Sequence, residues 1–210
     1  MKQLLFLLGC AVLLSALAGC QNPAANKSGG EVIIEGGSKF PPFLAGTWET
    51  DKSGLNYWRI IFEPDGTISS AVVPLGKIKV RPNRTTKVPG PKGEPGFCTA
   101  GNFQTSYDPQ SRELAATIEL KQFYMYMGVI SIIKGSWGYF IVGEVSEDGK
   151  TWAGDVFTSP DIVLLVPDPN HKGDESKFKE GAKLRIGLGE EEEERFIFTK
   201  VPDEKAGSNK

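Results

Sequence analysis

Trp58-Arg59-Ile60-Ile61-Phe62-Glu63-Pro64-Asp65-Gly66 decides the fold class, because it holds an alternating strand and the turn that ends it. Apolar Trp58, Ile60 and Phe62 sit two residues apart, the period of a pleated strand with one buried face. Asp-Gly then supplies the positive φ that a tight hairpin turn requires. Leu114-Ala115-Ala116-Thr117-Ile118-Glu119-Leu120 repeats the alternation, and Tyr107-Asp108-Pro109-Gln110-Ser111 and Glu147-Asp148-Gly149-Lys150 repeat the turn chemistry. The three turns predict hairpins joining strands near 55–63 and 67–73, 99–107 and 113–122, and 137–146 and 151–159. No helical pattern competes over a comparable length. A strand at 47–51 and a closing one at 195–201 bring the total to about eight.

Eight consecutive antiparallel strands with open edges invite aggregation, and closing them into an up-and-down barrel removes the edges. The expected architecture is therefore all-β: an antiparallel up-and-down barrel of about eight strands over residues 41–201, with an interior wide enough for side chains or one small ligand. An open two-sheet sandwich is the alternative. Two long connections interrupt the pattern. The first runs from Pro74 to Gly96 and contains Pro89-Gly90-Pro91-Lys92-Gly93-Glu94-Pro95-Gly96, a stiffened loop with too few Gly-x-y triplets for collagen. The second runs from Pro167 to about Ala182, a length that marks a mobile or functional loop.

The N-terminus opens Met1-Lys2, continues through Leu4-Leu5-Phe6-Leu7-Leu8 and Val12-Leu13-Leu14, and reaches Leu17-Ala18-Gly19-Cys20. Those are the charged, apolar and small-residue regions of a secretory signal. The apolar run is broken by Gly9 and Ser15 and falls short of the roughly 20 residues that a spanning helix needs. The last four residues match the bacterial lipobox, and the resemblance implies that residues 1–19 are removed and that Cys20 carries acyl chains. Acyl chains contribute about 0.8 kcal/mol per buried CH₂, enough for several on one cysteine to anchor a protein. The chain is thus expected in the cell envelope, held to the membrane outside the cytoplasm. Gln21 in place of Asp resembles an outer-membrane destination if the source is Gram-negative. Residues 20–40 are expected as lipidated cysteine and flexible linker, reaching about 25 Å, and 202–210 as a disordered tail. Cleavage leaves 210 − 19 = 191 residues, a length typical of one domain. The formal charge of −2 becomes −3 without Lys2, which argues against nucleic acid as a partner.

Gly46-Thr47-Trp48, entered from Phe43-Leu44-Ala45, resembles the Gly-x-Trp that begins the first strand of lipocalins, avidins and related calycin barrels. The resemblance implies that Trp48 plugs the barrel base and that a basic residue of the last strand, Arg195 or Lys200, packs across it through a cation–π contact of about 1 kcal/mol. Thr151-Trp152-Ala153-Gly154 resembles the Thr-Trp-x-Gly strand of the streptavidin branch, and Phe198-Thr199-Lys200-Val201 its closing segment. The ligand positions depart from that family. Its acidic biotin contact falls at Phe196, its Asn after the opening Trp is Thr50, and its hydroxyls become Asp148 and Lys150. A ureido group buried without partners loses about 1–3 kcal/mol per orphaned atom, so biotin is not the expected ligand. The Thr-Asp-Tyr motif of lipocalins is absent as well.

Nucleophilic catalysis needs a base, usually histidine. The single histidine, His171, lies in the polar loop Asp168-Pro169-Asn170-His171-Lys172-Gly173-Asp174-Glu175. That loop lacks EF-hand spacing, and one His without Cys makes no zinc site. The expectation is therefore no catalysis, no metal and no cofactor. Glu190-Glu191-Glu192-Glu193-Glu194 is expected to be a solvated run, with a partner's basic patch or weak Ca²⁺ binding as the alternatives. Once Cys10 is cleaved and Cys20 acylated, Cys98 is a lone thiol, expected as a small strand side chain with a reactive thiol or an intermolecular pairing partner as the alternatives. The aromatics of Phe123-Tyr124-Met125-Tyr126-Met127 and Trp137-Gly138-Tyr139-Phe140 are expected mainly to fill the core; the other reading is a pocket at the barrel mouth or an outer stripe that meets a partner. The functional expectation is a lipid-anchored, non-catalytic binding or envelope-interaction module, its partners the membrane and an envelope protein. The alternative is a binder of a small apolar ligand inside the barrel.

Overall fold

The computed structural model describes residues 30–53, 56–90, 95–127, 131–167, 178–184 and 194–202. Its elements are β1 (Gly30–Ile34), β2 (Gly46–Glu49), β3 (Arg59–Phe62), β4 (Ile68–Val73), β5 (Ile78–Val80), β6 (Thr85–Val88), β7 (Gly96–Asp108), β8 (Glu113–Met127), β9 (Ser131–Val145), β10 (Thr151–Pro167), β11 (Phe178–Leu184) and β12 (Glu194–Lys200). Two single 3₁₀ turns are the only helical pieces among the described residues. The strands form one sheet in the order β1-β7-β8-β9-β10-β12-β2-β3-β4-β5, with β6 added to β7 and β11 to β10. Pairing is antiparallel except between β1 and β7, which run parallel.

The expected turns form through the expected chemistry. In the β3–β4 hairpin the Glu63 N–H donates to Thr67 O (2.8 Å) and the Gly66 N–H to Glu63 O (2.9 Å), while Asp65 Oδ1 accepts from the Thr67 N–H and hydroxyl. Gly66 takes φ +86°, which a side chain would resist. The β9–β10 turn repeats this, with Gly149 at φ +66°.

Two expectations are corrected. Among the described residues the sheet has twelve strands rather than about eight, and it is not closed: its ladder ends at β1 and β5. The extra strands come from segments whose composition hid them. The Pro74–Gly96 connection contains β5 and β6, short runs in which Ile78, Val80 and the half-buried Val88 alternate with lysines. Val32-Ile33-Ile34, expected within the flexible tether, forms β1 along the free edge of β7, with Val32 and Ile34 packed against the core. The sheet curls until β5 lies beside β6, but there the contact is a side-chain bond, Thr86 Oγ1 to Lys79 O at 3.1 Å, instead of a ladder. Pro82 in the intervening turn has no N–H to give.

The curl encloses one contiguous apolar cluster. At one end Trp48, Trp152, Phe62 and Phe198 are fully buried; Trp152 stacks on Phe198 (4.6 Å between centroids) and meets Trp48 and Phe62 edge-on. Higher up, Trp58 packs edge-on against Tyr139 at 4.9 Å, and Tyr139 stacks on Trp137. Each such pair adds about 0.5–1.5 kcal/mol beyond its buried area. The long strands β8, β9 and β10 run on past this core. β10 pairs with β12 over Thr151–Val156 and with β11 over Ile162–Pro167, and β8 is bulged between Leu120 and Phe123.

Candidate functional site

The three segments that resemble calycin barrels lie on neighbouring strands, in the order β10-β12-β2. Trp48 is fully buried, and its indole N–H donates to Leu44 O at 2.8 Å, which ties the lead-in turn to the strand. Lys200 stands opposite Trp48 in the β12–β2 register, and its ammonium donates to the Phe43 carbonyl across the base. Arg195 lies farther along β12, exposed and opposite Asp155 of β10. Cys20, the His171 loop and Glu190–Glu193 lie outside the described residues.

The positions where the avidin ligand contacts would fall are occupied structurally. Thr50 Oγ1 accepts the Trp58 N–H at 2.9 Å in a buried setting. Phe196 pairs with Gly154 and packs against the core. Asp148 and Lys150 are exposed in the β9–β10 turn, where Asp148 Oδ1 accepts from the Ser146 hydroxyl.

Cys98 is fully buried, and burial pushes its thiol up to about 11. A nucleophilic cysteine is a thiolate in an exposed, electropositive setting, so Cys98 is held in its unreactive form. Burial, reinforced by the neighbouring Cys98, also raises the Tyr139 phenol. Among the described residues no three His, Cys, Asp or Glu side chains come together as metal ligands, and no helix is long and apolar enough to cross a membrane.

The aromatic runs divide between two faces. Phe123, Met125 and Tyr139 turn into the core, whereas Tyr124 and Tyr126 stand on the outer face and Phe140 is exposed beside Phe157. On that outer face the register aligns Lys87 of β6 with Phe97 of β7, Phe97 with Tyr124 of β8, Tyr124 with Lys134 of β9, and Lys134 with Val163 of β10. A polar row runs beside it. Thr85 and Thr99 share a hydroxyl hydrogen bond (2.9 Å), Thr99 pairs with Gln122, and Ser136 pairs with Asp161. The β8 bulge and Gly135 lie where the rows cross the sheet, and a groove of about 410 Å³ opens there.

Gly135 is required there, because a methyl would strike the Asp161 carbonyl oxygen. Phe97 and Tyr124 stack at 6.2 Å, their planes 11° apart, and form one wall; Lys121, Gln122, Lys134 and Asp161 supply polar groups. Sequence reasoning did not find Phe97, Lys87, Lys121, Lys134 or Asp161, since no local motif joins them. One local signal was available: residues 77–88 carry Lys77, Lys79, Arg81, Arg84 and Lys87 and no acidic residue, so a net charge near zero hides a basic flank. Comparison with protein-family models, with curated proteins and with solved structures gave no match.

Proposed function

We propose that the chain is a lipid-anchored, non-catalytic binding module of the bacterial cell envelope, a calycin-like curled sheet that meets its partner on its outer wall. The observation that carries this is the contrast between the two faces. The interior is occupied by fully buried Trp48, Trp58 and Trp152, while the outer wall holds a groove of about 410 Å³ lined by paired aromatics and polar side chains. Ligand sites are commonly concave, largely apolar and fitted with a few convergent polar groups. An apolar ligand inside the sheet would have to displace those tryptophans.

The anchor half of the proposal is supported by the lipobox ending at Cys20 and by the start of β1 at Gly30. The intervening nine residues, 21–29, extend to about 30 Å at most, so the groove would work close to the bilayer. An outer-membrane position follows if the source is Gram-negative.

Replacement of Cys20 by Ser tests the anchor. The variant is expected to leave the membrane fraction and to keep its signal peptide by intact mass. A variant that remains membrane-bound at the parent's mass would refute lipidation.

A further inference from the structure

The groove on the outer face of β6–β10 combines three features that select a ligand class. Phe97 and Tyr124 present two near-parallel rings, half-exposed on adjacent strands. Lysines flank it, Lys87 on β6 and Lys134 on β9 in the same transverse row and Lys121 in the bulge. Hydroxyl, amide and carboxylate groups of Thr85, Thr99, Gln122, Ser136 and Asp161 line the neighbouring row, where they can exchange hydrogen bonds with a polyhydroxylated ligand. Two acids border the site, Asp161 at its β10 end and Glu119 beside Lys121 over Gly101. The adjoining β5 strand and the turn from β5 to β6 add Lys79, Arg81 and Arg84, all exposed.

We propose that this groove binds an anionic saccharide chain, with sugar rings stacked on Phe97 and Tyr124 and carboxylate or phosphate groups paired with Lys87, Lys121 and Lys134. The inference rests on the binding-module reading above and names the ligand class of that site. Aromatic rings give a sugar's C–H face a flat apolar contact while leaving its hydroxyls free at the rim. The row crosses strands spaced about 4.8 Å apart, close to the length of one pyranose unit, so successive sugars meet successive strands. An aliphatic ligand would make no use of the exposed Lys87 and Lys121.

The test is calorimetric titration of the full-length chain in neutral detergent with polygalacturonate oligomers, phosphorylated dextran, neutral dextran of matched length and single-stranded DNA. Saturable binding of a charged saccharide is expected, weakened roughly ten-fold on raising salt from low to several hundred millimolar. The carboxylated and phosphorylated probes separate the two sources of anion, and either one binding supports the proposal. Tyr124→Ala is expected to weaken binding about ten-fold through lost stacking. The double variant Lys87→Gln/Lys121→Gln, which alters only exposed side chains, is expected to do the same through lost charge. Circular dichroism and the thermal midpoint check that both variants fold.

Four outcomes overturn the inference: neutral dextran binding as tightly as the charged saccharides, DNA binding more tightly than either, no saccharide binding to folded protein at millimolar concentration, or unchanged affinity in the lysine double variant. Titrating Cys20→Ser beside the parent keeps the two proposals apart. A Cys20→Ser variant that stays membrane-bound at the parent's mass while saccharide binding is retained sinks only the lipid reading, and an anchor lost on Cys20→Ser with no saccharide binding by either protein sinks only this one.

Discussion

Thr50→Val separates a structural role from a ligand-binding role at the position where the avidin family places an Asn. Thr50 is buried, its hydroxyl oxygen accepts the Trp58 N–H at 2.9 Å, and its own N–H donates to the Trp58 carbonyl at 3.0 Å, which extends the β2–β3 pairing by one residue beyond Glu49 and Arg59. Valine keeps the volume and the strand preference but removes the acceptor. The Trp58 N–H is then buried without a partner, a loss of about 1–3 kcal/mol. For a domain of this size each kcal/mol moves the thermal midpoint by roughly 2–4 °C, so the variant should melt about 2–12 °C lower. Thr50→Ser retains the oxygen and should recover most of the loss. Urea unfolding of the three proteins, followed by tryptophan fluorescence, measures both changes. A Val variant as stable as the parent, or a Ser variant as unstable as Val, would refute the assigned bond.

Gly143 on β9 faces β10 so closely that a methyl would strike the Ala153 carbonyl oxygen; Gly143→Ala should lose about 1–3 kcal/mol as the strands are forced apart, and an unchanged urea midpoint would contradict the packing. Buried Cys98 should resist iodoacetamide until the protein is unfolded in urea; prompt alkylation of native protein would show it to be accessible. Its thiol, raised from an ordinary value of 9.0 to about 11, sets a pH dependence with a definite sign. Below pH 9 both states keep the proton. Between 9 and 11 the unfolded chain loses a proton that the native state retains, so stability falls by up to about 2–3 kcal/mol. Cys98→Ala should flatten that part of the decline, and parallel pH profiles of parent and variant would argue against it.

The fold was legible where local chemistry and the final structure agree. Glu63-Pro64-Asp65-Gly66 and Glu147-Asp148-Gly149-Lys150 mark turns through positive φ and side-chain capping, which act within a few residues, and the hairpins they predict are present. β5, β6 and β1 were not legible, because three to five residues among prolines, glycines and lysines show too little alternation to stand out. Closure failed for the same reason. It depends on whether one short segment after Pro74 donates a full ladder to another, and only the folded chain settles that. The groove was less legible still: Lys87, Phe97, Tyr124, Lys134 and Val163 come from five strands and are aligned by register alone. Phe123 and Tyr124, adjacent in sequence, face opposite sides, so the aromatic run could not reveal which of its rings are available.

The parallel pairing of β1 with β7 has a mechanical consequence. Gly30 to Ile34 lie against Phe103 to Tyr107, with Gly30 at the N-terminal end of the pair. Tension along the strand axis would drag β1 lengthwise over β7 and stress its hydrogen bonds together in shear, where a perpendicular pull would unzip them one at a time. β1 would thus act as a strain-relief clamp on the N-terminal side of the apolar cluster, and a tug applied at Gly30 would be resisted before it reached Trp48 and Phe62.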